Sequence, residues 1–364
     1  MELIIISYYL IAIVFVVYTL KRFFITPGLI FVGMQMLMFS GVLTYSDFSI
    51  RSDCKLICVY FSALIMFILG NLFSSKINKR NIREVLVDER KMYVLNNRQK
   101  FYLYAMLFVG ALCCTYFFKR AGYNVFFQIL LSMGSSGEVN FTNSRIAMNN
   151  ISGVGYIYQF RVIILPLVCA LLLAYRNDAV MHKIGVCVFP VMILFLLGTG
   201  QRGGFVMFIL MWSVALLYTY FFYRDPVIKK MLLLLITMAV VLFAIMTIFN
   251  GRVASEGNVV QAMLQRIFDD NQKCAVIAFR YIDSQTIQMG RDWFLSIKDI
   301  LPGKNEYLQL SYVIFDIMYG STRGTAPPCI WGSCYYNWGY CGVVIFSFFL
   351  GFFYNKIYCE FCKI

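Results

Sequence analysis

The residues of this chain best suited to chemistry are arginines set at the ends of apolar runs. Gly198-Thr199-Gly200-Gln201-Arg202-Gly203-Gly204 joins two such runs. Its glycines let backbone N–H groups come close to a ligand, and Arg202 adds a fixed positive charge, a combination suited to an anion at a membrane surface. A tight turn with an arginine touching lipid phosphate is the plainer alternative. Arg161 lies near the outer end of another apolar run, beside Tyr156, Tyr158 and Gln159. A cation there faces a polar cavity or partner, or else snorkels to the interface. The stretch from Met318 to Tyr354 joins Arg323, the break Pro327-Pro328 and the rings of Trp331, Tyr335, Tyr336 and Trp338 to a final apolar run. It therefore brings a cationic, aromatic surface to the bilayer edge, with Asp316 and Arg323 flanking the re-entry.

Other chemistries find little support. The single histidine, His182, is expected in a cytoplasmic loop, which leaves no histidine base or ligand for the opposite face. No Walker loop, nucleotide fingerprint or Ser/His/Asp set is present, so neither ATP nor another cofactor is expected. Asp269-Asp270 lacks the further carboxylates of a metal site, and no metal is expected. Of the 12 cysteines, Cys58, Cys113, Cys114, Cys169 and Cys187 sit in apolar runs, where the thiol acts as a small hydrophobe. Cys359 and Cys362 form one C-x-x-C without a second pair, and Cys329 with Cys334 has a spacing open to pairing. Arg145 with Gly155 and Arg280 with Gly290 share a spacing, for which coincidence among 25 glycines is the rival account.

These residues need elements to hold them. The chain of 364 residues is 60% hydrophobic and 14% charged, with mean hydropathy +0.72. A soluble domain of that size needs more polar surface. Spans are expected at 3–20, 28–45, 56–73, 101–118, 156–175, 184–197, 205–223, 231–249 and 338–354. Each is near the length that crosses roughly 30 Å of hydrocarbon, so an all-α polytopic membrane protein of about nine transmembrane helices is expected. The first span has no basic residues before it and Lys21-Arg22 behind it, as in a retained helix rather than a cleaved signal. Alternate connections and the C-terminal tail hold 17 Lys and Arg against 6 acids, whereas the other side holds 15 against 12. The richer side is cytoplasmic by the positive-inside rule, with the N-terminus outside and the C-terminus inside. The net charge of +14 is thus a topology signal and not one for nucleic acid. The outer cations are mostly arginine and the inner ones mostly lysine; sampling noise is the bland account, phosphate recognition the functional one. One integral membrane domain is expected over 1–364, with a cytoplasmic loop at 76–100, an outer loop at 119–155 and a large outer loop at 250–333. Within the outer loops, 123–131 is amphipathic, 259–281 is helix-like, and 307–319 is apolar-periodic, as in a helix lying in or dipping into the membrane. No internal repeat is visible, which argues against common transporter architectures.

Three segments in order resemble the Wzy-type family of O-antigen and capsule repeat-unit polymerases. They are Leu197 through Gly204; Met289-Gly290-Arg291-Asp292-Trp293 leading to Ile300-Leu301-Pro302-Gly303; and Gly324-Thr325-Ala326-Pro327-Pro328 through Asn337-Trp338-Gly339-Tyr340. The resemblance implies a GT-C-like glycosyltransferase fold in the bacterial inner membrane, using no nucleotide sugar. It implies that undecaprenyl-pyrophosphate-linked oligosaccharides are joined at the periplasmic face, with membrane lipid, a chain-length regulator and a flippase of the same pathway as partners. Within that expectation Arg202, Arg161, Arg323, Arg145, Arg280 and Arg291 are candidates for the pyrophosphate. Trp331, Tyr335 and Tyr336 are candidates for sugar faces, against the simpler role of interface aromatics. Asp316 and Asp283 are candidates for the general base. Gly332-Ser333 departs from the Gly-Glu of relatives, and relatives continue for another span or two where this sequence stops at Ile364, as in a short variant or a truncated frame. An O-antigen ligase is disfavoured by the lack of an outer histidine. A flippase is disfavoured because ionisable residues gather on one side.

Overall fold

Inside a bilayer every backbone N–H and C=O must find its partner within the protein, and a single apolar run satisfies that only as a helix. The computed structural model describes residues 1–23, 26–77, 96–132, 157, 160–174, 178–199, 204–205, 208–209, 211–213, 233, 237, 240, 270–298, 309–321, 325–326 and 328–361. All regular structure among them is helical. The helices are α1 (Glu2–Phe23), α2 (Pro27–Tyr45), α3 (Arg51–Ile77), α4 (Asn97–Ala121), α5 (Val125–Ser132), α6 (Leu165–Ala174), α7 (Ala179–Leu197), α8 (Asp270–Asp283), α9 (Arg291–Lys298), α10 (Leu310–Tyr319) and α11 (Ile330–Phe361). A π-helical turn, Phe160–Ile164, leads into α6. Six of the described helices are long and apolar enough to cross a membrane, and the chain is an all-α polytopic membrane protein. The expected spans at 205–223 and 231–249 lie largely outside the described residues, as do most of the loops at 76–100 and 119–155, whereas the loop at 250–333 holds α8, α9 and α10.

Two compact units share the chain. One is built from both ends, Met1–Arg90 with Leu264–Ile364, and the other from Lys91–Met263. No composition break marks this division.

In the first unit α3 and α11 form the central pair. Their contacts advance together along both chains. Tyr340 Oη reaches Lys55 O at 3.4 Å, Gly351 lies against Phe67 O, and Asn355 Nδ2 donates to Asn71 O at 3.1 Å. The two helices are therefore parallel. They touch through reciprocal glycines: a Cβ on Gly70 would stand 1.9 Å from Phe348 O, and one on Gly351 2.0 Å from Phe67 O. Without a hydrophobic force between helices in lipid, such close backbone approach supplies the packing. Stacked rings fill the remaining space, with Tyr8 and Phe39 at 3.9 Å and Phe31 and Phe67 at 4.6 Å.

Helix α11 is not one rod. Gly339 has φ 61° and ψ −155°, a conformation open to glycine alone, and the chain doubles back there. A Cβ on Gly342 would meet Cys334 O at 2.9 Å, although eight residues separate them. Trp331 and Tyr354 both pack edge-on to Phe31, at 6.0 and 5.6 Å. The helix is thus a hairpin of a short arm, 330–338, and a long arm, 340–361. At 1.5 Å per residue the long arm runs about 33 Å, enough to cross the hydrocarbon, and the short arm about 13 Å.

The second unit corrects one sequence expectation. Helix α7 starts at Ala179, not near 184, because Asp178 caps it by accepting from Val180 N and Met181 N. His182 is therefore in the first helical turn and not in a loop; its Nδ1 lies 3.1 Å from Leu173 O. Lys100 bonds Asp178 and, with the cap itself, holds that carboxyl below its ordinary range.

Substituting Gly351→Ala forces two backbones apart and should lower stability by about 1–3 kcal/mol. Gly33→Ala, where nothing lies within 4 Å, should cost nothing. Thermal unfolding in detergent checks both; equal effects would remove the close crossing from the account.

Candidate functional site

The first turn of α3 presents Asp53 and Lys55, and the last turn of α8 presents Arg280 and Asp283 one helical turn apart. These four groups pair across the two helices. Arg280 grips Asp53 as a fork, Nε to Oδ1 at 2.9 Å and Nη2 to Oδ2 at 2.7 Å. Asp53 is only 1% exposed and takes a further bond from Asp47 N at 2.8 Å. A carboxylate that deep requires a bidentate partner and additional donors. Beside it Lys55 Nζ stands 2.7 and 2.9 Å from the two oxygens of Asp283, which also accepts from Tyr335 Oη at 3.3 Å. Asp47 lies exposed at the rim, and the Ser49 hydroxyl and N–H hold its carboxyl below the usual range.

The short arm of α11 forms the wall of this cluster. Tyr335 packs on Phe279 at 5.0 Å and edge-on to Tyr340 at 5.3 Å. Directly behind, two segments singled out in the sequence meet. Gln288 N donates to Tyr336 O at 3.0 Å and Gly290 N to Asn337 O at 3.2 Å. Asn337 is fully buried; its Oδ1 accepts from Trp293 N at 3.4 Å and its Nδ2 donates to Ser333 O at 3.0 Å. Trp293 Nε1 closes the set on Ser333 Oγ at 2.8 Å. Met289 (φ 50°) and Gly290 (φ 81°) turn the chain so that these bonds form. Asp292, also buried, faces Leu310 N at 3.4 Å and so ties the turn to α10.

The sequence candidates separate accordingly. Asp283, Arg280 and Tyr335 converge. Tyr336 is half-buried next to them and packs toward α8 and α10. Arg291 is exposed at the start of α9, and Asp316 is exposed on α10, where its side chain makes no hydrogen bond or ion pair among the described residues. Trp331 is corrected: its ring is buried in the core with Nε1 on Gln35 Oε1 at 2.9 Å, so no sugar face can stack on it. Cys329 and Cys334 are free thiols; Cys329 Sγ instead accepts from Gly332 N at 3.2 Å.

Arg161, in the second unit, is also buried. Its Nη1 donates at 3.2 Å to Phe195 O, Leu196 O and Thr199 Oγ1, and its guanidinium lies 5.5 Å from the Phe117 ring centre. It does not snorkel; it caps the C-terminus of α7, where a cation meets the negative end of the helix dipole. Together with Val125 N on Gly198 O at 2.7 Å, it fixes the start of the glycine turn. Arg145, Arg202 and Arg323 lie outside the described residues.

Sequence reasoning missed Asp53 and Lys55, and gave Asn337 no role beyond its place in the third segment. Charges before a span look like topology markers, although the four within Asp47–Lys55 mix both signs, which orientation alone does not require. No group of three or more metal-ligating side chains occurs among the described residues. No family model, curated protein or solved structure matches this chain. The cluster therefore stands on its geometry: two cations, two carboxylates and a phenol at one end of the parallel α3–α11 pair.

Arg280→Met leaves the Asp53 carboxylate buried and unpaired and should cost about 3 kcal/mol, the low end for a broken buried pair because Arg280 is partly solvated. The double variant Arg280→Met with Asp53→Leu should recover most of that loss in the same unfolding measurement. Additive losses would mean that the two groups are not coupled.

Proposed function

We propose that this chain is a Wzy-type repeat-unit polymerase of the bacterial inner membrane, joining undecaprenyl-pyrophosphate-linked oligosaccharides at the periplasmic face. The observation that carries the reading is the union of two segments of that resemblance, Met289–Trp293 and Ser333–Tyr340, behind a charged cluster at a membrane end. Residues far apart in sequence are joined there backbone to backbone through Gly290 and Asn337. Such a union is what a shared site requires and what unrelated degenerate motifs do not.

The finer topology is part of the same proposal. Because α3 and the long arm of α11 run in the same direction, the chain between them must cross the bilayer an odd number of times. Five crossings, at 101–118, 156–175, 184–197, 205–223 and 231–249, satisfy that parity and give nine spans in all. With the N-terminus outside, the N-terminal ends of α3 and of the long arm, and with them the cluster, face the periplasm. The C-terminus then lies in the cytoplasm.

In the proposed reaction a hydroxyl of the acceptor unit attacks the anomeric carbon of the donor. Its proton passes to Asp283, the new glycosidic bond forms, and the bond to the pyrophosphate oxygen breaks. Undecaprenyl pyrophosphate leaves with its lipid still in the membrane. Tyr335 and Lys55 orient the Asp283 carboxylate, and Lys55 must swing aside or share it as the proton arrives. The solvated edge of Arg280 meets the charge that grows on the departing diphosphate, the same role expected of Arg202 and Arg323 from the sequence. No nucleotide or metal enters.

Deletion of the gene should reduce the host's lipopolysaccharide to core plus one repeat unit on a gel. Unmodified core alone would fit a ligase or flippase, and an unchanged ladder an unrelated role. Complementation with Asp283→Asn should restore protein level but lower polymerisation about 100-fold or more, the usual contribution of a general base. Arg202→Ala and Arg323→Ala should likewise give single units. Wild-type chain lengths in these three variants would contradict the assignments.

A further inference from the structure

Helix α9 carries apolar side chains on a face left uncovered. Phe294 is 69% exposed and Ile297, one turn on, 63%; Ile287 at 53% and Met289 at 72% extend the patch into the preceding turn. The other face is fixed by Trp293 on Ser333 and Asn337 and by Asp292 on Leu310. Single exposed apolar residues need no explanation, but a cluster of four on one short segment does.

Depth decides the occupant. Trp293 bonds Ser333 on the short arm and stacks edge-on to Phe346 on the long arm, with ring centres 4.6 Å apart. Both positions lie about 10 Å along the arms from the Gly339 turn. The long arm matches the hydrocarbon thickness, so the turn is close to the lipid–water boundary and α9 lies below it. That is the depth, about 5–10 Å, at which interfacial helices bury an apolar face. The exposed side chains Ile345, Phe346, Phe349 and Phe353 of the long arm continue the same surface into the bilayer.

We propose that α9 is a bilayer-interface helix: Phe294 and Ile297 rest among the acyl chains of the leaflet nearest the Gly339 turn, and Arg291 stays at the phosphate level. The partner is lipid itself, contacted along a surface continuous with a transmembrane face. The anchor fixes the Met289–Trp293 turn, and with it the wall behind Tyr335, relative to the membrane plane. This inference does not depend on the polymerase reading.

Nitroxides attached through Phe294→p-acetylphenylalanine and Ile297→p-acetylphenylalanine test it in the full chain. The protein is reconstituted in phosphatidylethanolamine–phosphatidylglycerol liposomes, with Ser49→p-acetylphenylalanine as the exposed loop reference. Labels at 294 and 297 should collide several-fold more with oxygen than with aqueous nickel chelate, and the label at 49 the reverse. Nickel access at 294 and 297 equal to that at 49 would overturn the proposal. So would immobilised spectra that loosen on dilution with lipid, which mark a second copy of the chain in place of lipid.

Discussion

The first unit depends on one backbone reversal. At Gly339 an apolar segment that reads as a single rod folds onto itself, which sets Ser333 and Phe346 within reach of one indole and Cys334 against Gly342. Without that fold the short arm would continue outward as an extension of the span. Tyr335 would lie beyond Asp283, and Asn337 could not receive the turn at Gly290. The positive φ needed there removes any side chain from the position. The cost is accepted because the hairpin buries Trp331 and aligns a polar edge with a charged end.

The second constraint is electrostatic. Both units hold a buried ionic group, and each resolves the problem differently. Asp53 is matched by a guanidinium fork and a backbone donor, which hold it in register with Lys55 and Asp283. Arg161 is stabilised by the carbonyl end of α7 and by an aromatic face. The first arrangement leaves partly solvated cations next to a carboxylate and is suited to chemistry. The second uses a charge to hold a helix end.

Much of the architecture was legible because lipid imposes it. Apolar length located the six described helices that are long enough to span, and the charge between the runs suggested the orientation used in the proposed function. The grouping of Asp283, Arg280 and Tyr335 was half legible, since each had been singled out but nothing in the sequence joined them. Asp53 and Lys55 were hidden because a span start carries charges for many reasons and their partners lie more than two hundred residues away. The Gly339 reversal was hidden because hydropathy measures composition and not direction: a hairpin and a rod of the same residues score alike. Trp331 misled for a related reason, since a tryptophan next to a presumed boundary reads as an interface ring until the fold carries it inward to Gln35. Likewise a span edge at 184 ignored the capping strength of Asp178.

The reversal is also the most directly measurable claim. Spin labels at positions 330 and 349, both exposed on α11, report on it without reference to function. In the hairpin the two sites lie on adjacent arms at similar depth, and the distance should be about 10 Å, the spacing of packed helices, plus the reach of the labels. An uninterrupted helix would separate them by about 28 Å along its axis. A dipolar spectrum at the short distance supports the account; one at the long distance contradicts it and dissolves the site.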